Sequence, residues 1–356
     1  MKITTTMETS MKVHSSPMKV KPMEKRPVPY RTLLAVAAAA SALAGCGGDD
    51  NDNNHAGEGG NGAPPEIRQL STLTGATKDL TVSFSEGTNM AAAPSPDGQR
   101  IVFSAQGALW VIPTAGGTAT RITSWDIEPT APVWSPDGAT IAFQNYAPSG
   151  NYHIWTIAPD GSAPTEITTG PNDDREPAWL PDGSGLVFAS DRSNDGQYKI
   201  WQVKLAGRTV SQVTKGTGAE SNPVVSPDGQ QVAYVDAETI YTISMTGTGS
   251  PSRVAPGTTP SWLPSGTGLA YQTPARNLAL SGREVSSGED LFPFPVRFLA
   301  DGRFLYTADG KMRVRDASGA NAREIPFSAS LALRRPAITT PKDHGFAATG
   351  ARPVMG

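Results

Sequence analysis

Trp134-Ser135-Pro136-Asp137-Gly138-Ala139-Thr140-Ile141-Ala142-Phe143 is the stretch whose reading decides the fold. Proline presets φ for the first central position of a tight turn, Asp tolerates the second, and Gly takes the left-handed site that follows. The apolar triplet Ile141-Ala142-Phe143 then reads as a buried strand. The segment is therefore the start of a hairpin, and its turn chemistry needs no ligand to explain it.

The same unit recurs along the chain. Equivalent tetrads stand at Ser95-Pro96-Asp97-Gly98, Leu180-Pro181-Asp182-Gly183, Ser226-Pro227-Asp228-Gly229, Leu263-Pro264-Ser265-Gly266 and Leu299-Ala300-Asp301-Gly302. Their third positions are spaced by 40, 45, 46, 37 and 36 residues, the period of propeller blades. An aromatic lies five residues after the turn Gly in the first five repeats, closing Ile101-Val102-Phe103, Leu186-Val187-Phe188, Val232-Ala233-Tyr234 and Leu269-Ala270-Tyr271 as well as the quoted triplet. In the sixth, Phe304-Leu305-Tyr306, it comes one residue early, which predicts a hairpin shorter by one.

A third strand follows in most repeats, as in Leu109-Trp110-Val111-Ile112, Ile154-Trp155-Thr156-Ile157, Ile200-Trp201-Gln202-Val203, Ile240-Tyr241-Thr242-Ile243 and Met312-Arg313-Val314-Arg315. A fourth, more polar strand closes most units at Arg121-Ile122-Thr123, Glu166-Ile167-Thr168, Gln212-Val213-Thr214 and Arg323-Glu324-Ile325. Four strands per unit is the anatomy of a blade. Trp134, Trp179 and Trp262 precede their turns at equivalent places and read as core wedges between neighbouring sheets. A content of 37 Gly and 31 Pro suits many short strands and suits long helices badly. The expected fold is all-β, a six-bladed β-propeller over residues 66–330 around a central channel, followed by an irregular tail at 331–356 or the start of further repeats. Leu80-Thr81-Val82-Ser83-Phe84 is a candidate to complete the last blade, although the sixth repeat already owns four strands.

The Trp-Ser-Pro-Asp-Gly, Ile-Ala-Phe and Ile-Trp elements together closely resemble the WD-like propeller repeats of the TolB family, over about residues 90 to 330. Ala189-Ser190-Asp191-Arg192-Ser193 is similar to the Ser-Asp-Arg loop common in those repeats. That family joins its propeller to a small α/β domain, for which residues 47–90 offer neither length nor helical pattern. A second resemblance lies in Gly87-Thr88-Asn89-Met90, Gly288-Glu289-Asp290-Leu291-Phe292-Pro293-Phe294, Tyr306-Thr307-Ala308-Asp309-Gly310-Lys311 and Glu324-Ile325-Pro326-Phe327. These look like the propeller region of large exported bacterial proteins that continue into a metal-dependent amidohydrolase barrel. In that family the metal ligands begin with a His-x-His pair, and this chain has none.

The N-terminus points outward from the cell. Leu33 to Ala44 is an apolar run that fits the core of a secretory signal and is too short to span a bilayer. It leads into Leu43-Ala44-Gly45-Cys46, which looks like the lipobox of bacterial lipoproteins, with Cys46, the only cysteine, as the lipidated residue. Met23 is a candidate start that would give the signal an ordinary length. Residue 47 is Gly rather than Asp, which in Gram-negative lipoproteins resembling this one favours the outer membrane. Residues 46–65 then form a tether rich in Gly, Asn and Asp, without large apolar anchors. Its Asp49-Asp50-Asn51-Asp52 run lacks the turn Gly and distal Glu of a calcium loop.

Loss of residues 1–45, with seven Lys/Arg and two Asp/Glu, takes the formal net charge from −3 to −8, which disfavours nucleic acid as a partner. The four histidines, His14, His55, His153 and His344, build no metal site, and no Gly-x-Ser-x-Gly, His-Glu-x-x-His or phosphate loop is present. The expectation is therefore no catalytic residue, no cofactor and no metal. The sequence reads as a lipid-anchored envelope scaffold, facing the periplasm, for a protein or envelope component; the alternative is the propeller portion of a split or truncated amidohydrolase that gates or docks its catalytic domain. Asn172-Asp173-Asp174-Arg175-Glu176, just before a predicted inner strand, is a candidate contact loop.

Overall fold

Short strands and tight turns organise residues 92–325 into six four-stranded antiparallel sheets, each built from one continuous stretch of chain. The computed structural model describes residues 77–124, 127–146 and 150–336, all within the unit Asn61–Gly356. Sheet I comprises Ala92–Pro94, Arg100–Ala105, Ala108–Pro113 and Thr120–Arg121; sheet II, Pro129–Trp134, Ile141–Tyr146, Tyr152–Ile157 and Thr165–Glu166. Sheet III runs through Asp174–Trp179, Gly185–Ser190, Lys199–Lys204 and Thr209–Gln212; sheet IV through Glu220–Val225, Gln231–Asp236, Thr239–Ser244 and Ser252–Pro256. Sheet V holds Thr258–Trp262, Leu269–Gln272, Leu278–Leu280 and Arg283–Glu284, and sheet VI Arg297–Phe298, Phe304–Ala308, Lys311–Arg315 and Arg323–Ile325. Among the described residues the single helical element is a 3₁₀ turn at Ala206–Arg208.

Every tetrad joins the first strand of its sheet to the second. The turn Gly amide donates to the carbonyl three residues back at 2.8–3.0 Å, from Gly98 to Ser95 through Gly302 to Leu299. Gly98 and Gly138 sit at φ +68° and +71°, the left-handed region that costs a side chain strain. In the first hairpin the next bond runs from Ser95 N–H to the Arg100 carbonyl, whereas in sheet VI it runs from Leu299 to Arg303. The sixth hairpin is thus one residue shorter, as the early aromatic implies.

The second strand of each sheet explains why its triplet is apolar throughout rather than alternating. Phe103, Phe143, Phe188 and Phe304 are fully buried, because each sheet is covered on both faces. Alternate residues serve different neighbours. Ile141 and Phe143 pack with Val102 and Leu109 of sheet I, while Ala142 joins Leu186, Phe188 and Val203 of sheet III. Val187 faces Val232 and Tyr234 of sheet IV; Ala233 faces Leu269 and Tyr271 of sheet V; Ala270 faces Phe304 and Tyr306 of sheet VI. Leu305 completes the cycle by packing with Ile101 and Phe103 of sheet I. Each junction between successive sheets therefore holds its own apolar cluster, including the one that returns from VI to I.

The predicted tryptophan wedges bind as well as fill. The Trp134, Trp179 and Trp262 indoles donate to the carbonyls of Ala93, Val133 and Val224 on the first strand of the preceding sheet, at 3.1, 3.2 and 3.1 Å. Each ties its sheet to the one before.

The fourth strands of sheets I to III end earlier than the sequence reading has them, whereas Arg323–Ile325 of sheet VI is a strand as expected. Ile122, Ile167 and Val213 donate a last backbone bond to the Leu109, Ile154 and Ile200 carbonyls at 2.8–2.9 Å and bury their side chains in the core. The threonine after each takes over the strand's work: Leu109, Ile154 and Ile200 donate backbone N–H to the Thr123, Thr168 and Thr214 hydroxyls at 3.0, 2.9 and 2.9 Å. Ser286 does the same for Leu278 in sheet V, at 2.7 Å. A hydroxyl in the ladder lets the backbone leave the sheet without orphaning a buried donor.

The two ends of the described chain form a further sheet. Thr77–Phe84 pairs antiparallel with Phe327–Pro336, and the latter runs parallel to Gly117–Thr118 at the edge of sheet I. Leu80-Phe84 therefore pairs with this final strand and does not enter sheet VI, which has its own four strands. The final strand also continues past residue 330 to Pro336, so residues 331–336 are extended, paired backbone rather than irregular tail. Its buried side chains Phe327, Ala329 and Leu331 enter the cluster shared by sheets VI and I.

Candidate functional site: the channel lined by the first strands

Four first strands carry the same irregularity. Their ladders slip between Thr130 and Val133, Arg175 and Ala178, Ser221 and Val224, and Thr258 and Ser261. Within each slip a non-glycine residue adopts positive φ and a proline follows: Ala131-Pro132 at +52°, Glu176-Pro177 at +58°, Asn222-Pro223 at +50° and Thr259-Pro260 at +51°. Proline cannot donate to a ladder, so it belongs at a bulge. Left-handed non-glycine backbone is strained and persists where the surroundings over-determine it, commonly where a ligand is held.

The first three of these bulges meet at a cavity of about 470 Å3, continuous with solvent, lined by Ala131, Glu176, Pro177, Asn222 and Pro223 together with Gln144, Phe294 and Arg297. The lining residues come from sheets II, III, IV and VI, so the cavity lies where first strands converge from around the ring. A chain of hydrogen bonds runs through its wall. Glu176 N–H donates to Gln144 Oε1 at 2.7 Å, and the Glu176 carboxylate accepts the Asn222 N–H at 2.5 Å. Three consecutive sheets are thereby coupled at the channel. Burial pushes the Glu176 carboxyl above the ordinary carboxylate range, against the pull of its bonds to Asn222. Arg297 lies half-buried in the same cavity; desolvation alone pulls its guanidinium down to about 10, and it makes no hydrogen bond or ion pair with any described residue.

The proposed contact loop Asn172–Glu176 is largely spoken for. Asp174, Arg175 and Glu176 belong to the first strand of sheet III rather than to a loop before it. Asp174 is fully buried and pairs with Arg192 of the Ser-Asp-Arg segment at 2.5 Å. Asp173 accepts the Tyr152 N–H at 2.7 Å, the Tyr198 hydroxyl at 2.8 Å and Arg175 at 2.6 Å. Burial works to raise its carboxyl, but these donors outweigh it and hold it below the usual range. The Arg175 guanidinium lies over the Tyr152 and Tyr198 rings at 4.5 and 5.6 Å. Of this stretch only Glu176 reaches the channel cavity.

The remaining sequence-predicted residues sit elsewhere. Asp97, Asp137, Asp182, Asp228 and Asp301 occupy the outer hairpins, where each Oδ1 accepts the amide two residues on at 2.9–3.0 Å. Hydroxyl bonds from Ser95, Ser135 and Ser226 lead in holding the carboxyls of Asp97, Asp137 and Asp228 low; backbone bonds from Ser184 and Arg303 lead for Asp182 and Asp301. In the fifth hairpin Ser265 stands in the Asp position before Gly266. His153 is buried, held by Glu166 at 2.7 Å and the Gly170 carbonyl at 3.0 Å. No group of three or more His, Cys, Asp or Glu able to hold a metal occurs among the described residues. Cys46 lies outside the described residues.

Residues 109–280 match the model of the TolB beta propeller domain. The chain carries a TolB-like β-propeller. Among solved structures the TolB-like chain is similar to TolB from Acinetobacter baumannii at 20% identity and TM-score 0.45, covering 68% of this chain and 57% of that one. It is similar to an Agrobacterium tumefaciens protein assigned as TolB at 18% identity and TM-score 0.46, over 73% and 99%. For the oligogalacturonate lyase of Vibrio parahaemolyticus the values are 10% and 0.47, over 71% and 86%. No curated protein matches the chain.

Proposed function

We propose that this TolB-like chain is an exported, lipid-anchored, six-bladed propeller that binds a protein or envelope component at its channel and performs no catalytic step of its own. The cavity where the strained first strands converge carries this reading: strand residues from sheets II, III, IV and VI present most of its lining and hold it rigidly. Six sheets with an apolar cluster at every junction support the blade count. The lipobox at Cys46, after an apolar signal and before a polar tether, supports attachment to a membrane facing the periplasm, with Gly47 favouring the outer one.

The test places a photocrosslinking residue at Ala131, on the channel wall, or at Thr248, on an exposed turn, in the full chain in intact cells. A discrete protein adduct from Ala131 and none from Thr248 is expected. Adducts alike at both positions, or none at Ala131, would contradict the reading. Separately, Cys46→Ser should move the chain from the membrane to the soluble fraction.

A further inference from the structure

Two half-buried arginines elsewhere in this protein are met by carboxylates. Arg192 pairs with Asp174 at 2.5 Å, and Arg315 with Glu289 at 2.8 Å. The physical reason is general: a guanidinium stays charged at neutral pH, presents five donors, and is costly to desolvate without an opposite charge. Arg297 has no such partner. It lines the channel cavity with no partner among the described residues, and Gln144 of the same lining uses its carbonyl oxygen on Glu176 N–H while its amide donors meet no described acceptor. Unused donors thus collect in one concave, proline-walled place.

We propose that Arg297, with Gln144 lining the same cavity, forms a carboxylate-binding subsite of the channel; this rests on reading the channel as the ligand site. The fork of a guanidinium matches a carboxylate with two parallel hydrogen bonds. A single positive charge balances a monoanion. That charge match favours a monocarboxylate over a doubly charged phosphate. Such a carboxylate belongs either to a free organic acid or to an acidic side chain or C-terminus of a bound polypeptide.

The full chain, with 15N-labelled arginine, is titrated at constant ionic strength with acetate, with doubly capped aspartate and with inorganic phosphate. The Arg297 Nε–H resonance is assigned by its loss in Arg297→Met. Both carboxylates are expected to shift that resonance saturably while other arginines stay still, and Arg297→Met to weaken capped aspartate by about tenfold or more. Tighter binding of capped aspartate than of acetate supports a polypeptide source, and equal binding a free acid. Phosphate acting more strongly than either carboxylate, or an Arg297 resonance that none of the probes moves, would overturn the subsite. Arg297→Lys, which keeps the charge without the fork, guards against misfolding of the methionine variant; binding equal to that of the native chain would also overturn the proposal. A carboxylate response without a crosslinked partner keeps the subsite and removes the protein-scaffold reading; the reverse removes the subsite alone.

Discussion

The junctions within sheets I to VI and the junction that returns from VI to I are built from the same residue types but differ in how they are held. Within the series, each sheet packs on one made from the preceding stretch of chain, and three of the junctions carry a tryptophan bonded across them. The returning junction has no such tryptophan. It gains instead an eight-residue strand pairing, Thr77–Phe84 with Phe327–Pro336, and Phe327 set against both Phe84 and Phe103 with ring centroids 6.0 and 4.8 Å apart. Ser83 and Ser330, 247 residues apart, meet across this pair at 2.9 Å. Local junctions form with little loop-closure entropy, whereas the returning one must bring distant ends together and needs extra contacts to hold them.

The largest effect is expected from riveting that junction. A disulfide between Ser83→Cys and Ser330→Cys should stabilise the fold by up to about 5 kcal/mol on the chain-entropy model, read as a shift of the urea midpoint between oxidised and reduced forms. No shift would mean that this strand pair is not what opens on unfolding. Removing an aromatic from each kind of junction sharpens the contrast. Phe327→Ala and Phe143→Ala should each cost about 3–5 kcal/mol by the same measurement, and a much smaller cost for Phe327 would show that the returning junction is not a sealed core.

Thr168→Val tests the side chains that finish the inner ladder. It keeps shape but leaves the Ile154 amide without its 2.9 Å acceptor, so about 1–3 kcal/mol should be lost; an unchanged midpoint would remove the threonine from the account of how fourth strands end. The smallest effect comes from acid. The depressed carboxyls of Asp97 and Asp301, in the hairpins of sheets I and VI that meet at the returning junction, contribute stability that is present above the unfolded value and lost as pH falls through the lower folded one. Thermal midpoints should therefore drop slightly between about pH 5 and pH 3, and Asp97→Asn should flatten that drop. Glu176 has the opposite sign, because its raised carboxyl favours the fold at low pH and weakens it as pH rises; Glu176→Gln should remove that loss near neutrality.

What could be read without coordinates was local. Pro, Asp and Gly encode their turns through φ and through one side-chain oxygen, so the hairpins follow from tetrads a few residues long, and Leu299–Arg303 is shorter because its own sequence is. The tryptophans could be placed in the core from their position alone. The fourth strands of sheets I to III were drawn too far because Ile122-Thr123 and its relatives carry a strand's composition, yet the threonine replaces a ladder bond rather than continuing the ladder. Asp173 and Asp174 looked free to meet a partner; Tyr198 and Arg192, which occupy them, lie 25 and 18 residues away.

By itself, then, the sequence determined the repeat, the turns and the apolar triplets, since each depends on residues adjacent in the chain. Only the tertiary structure decided that Leu80–Phe84 pairs with the last strand instead of entering the sixth sheet, that X-Pro bulges from three sheets face one cavity, and that Arg297 stands there without a partner among the described residues. Those outcomes depend on which distant strands share a junction, and a position within one repeat carries no record of its neighbours across the ring.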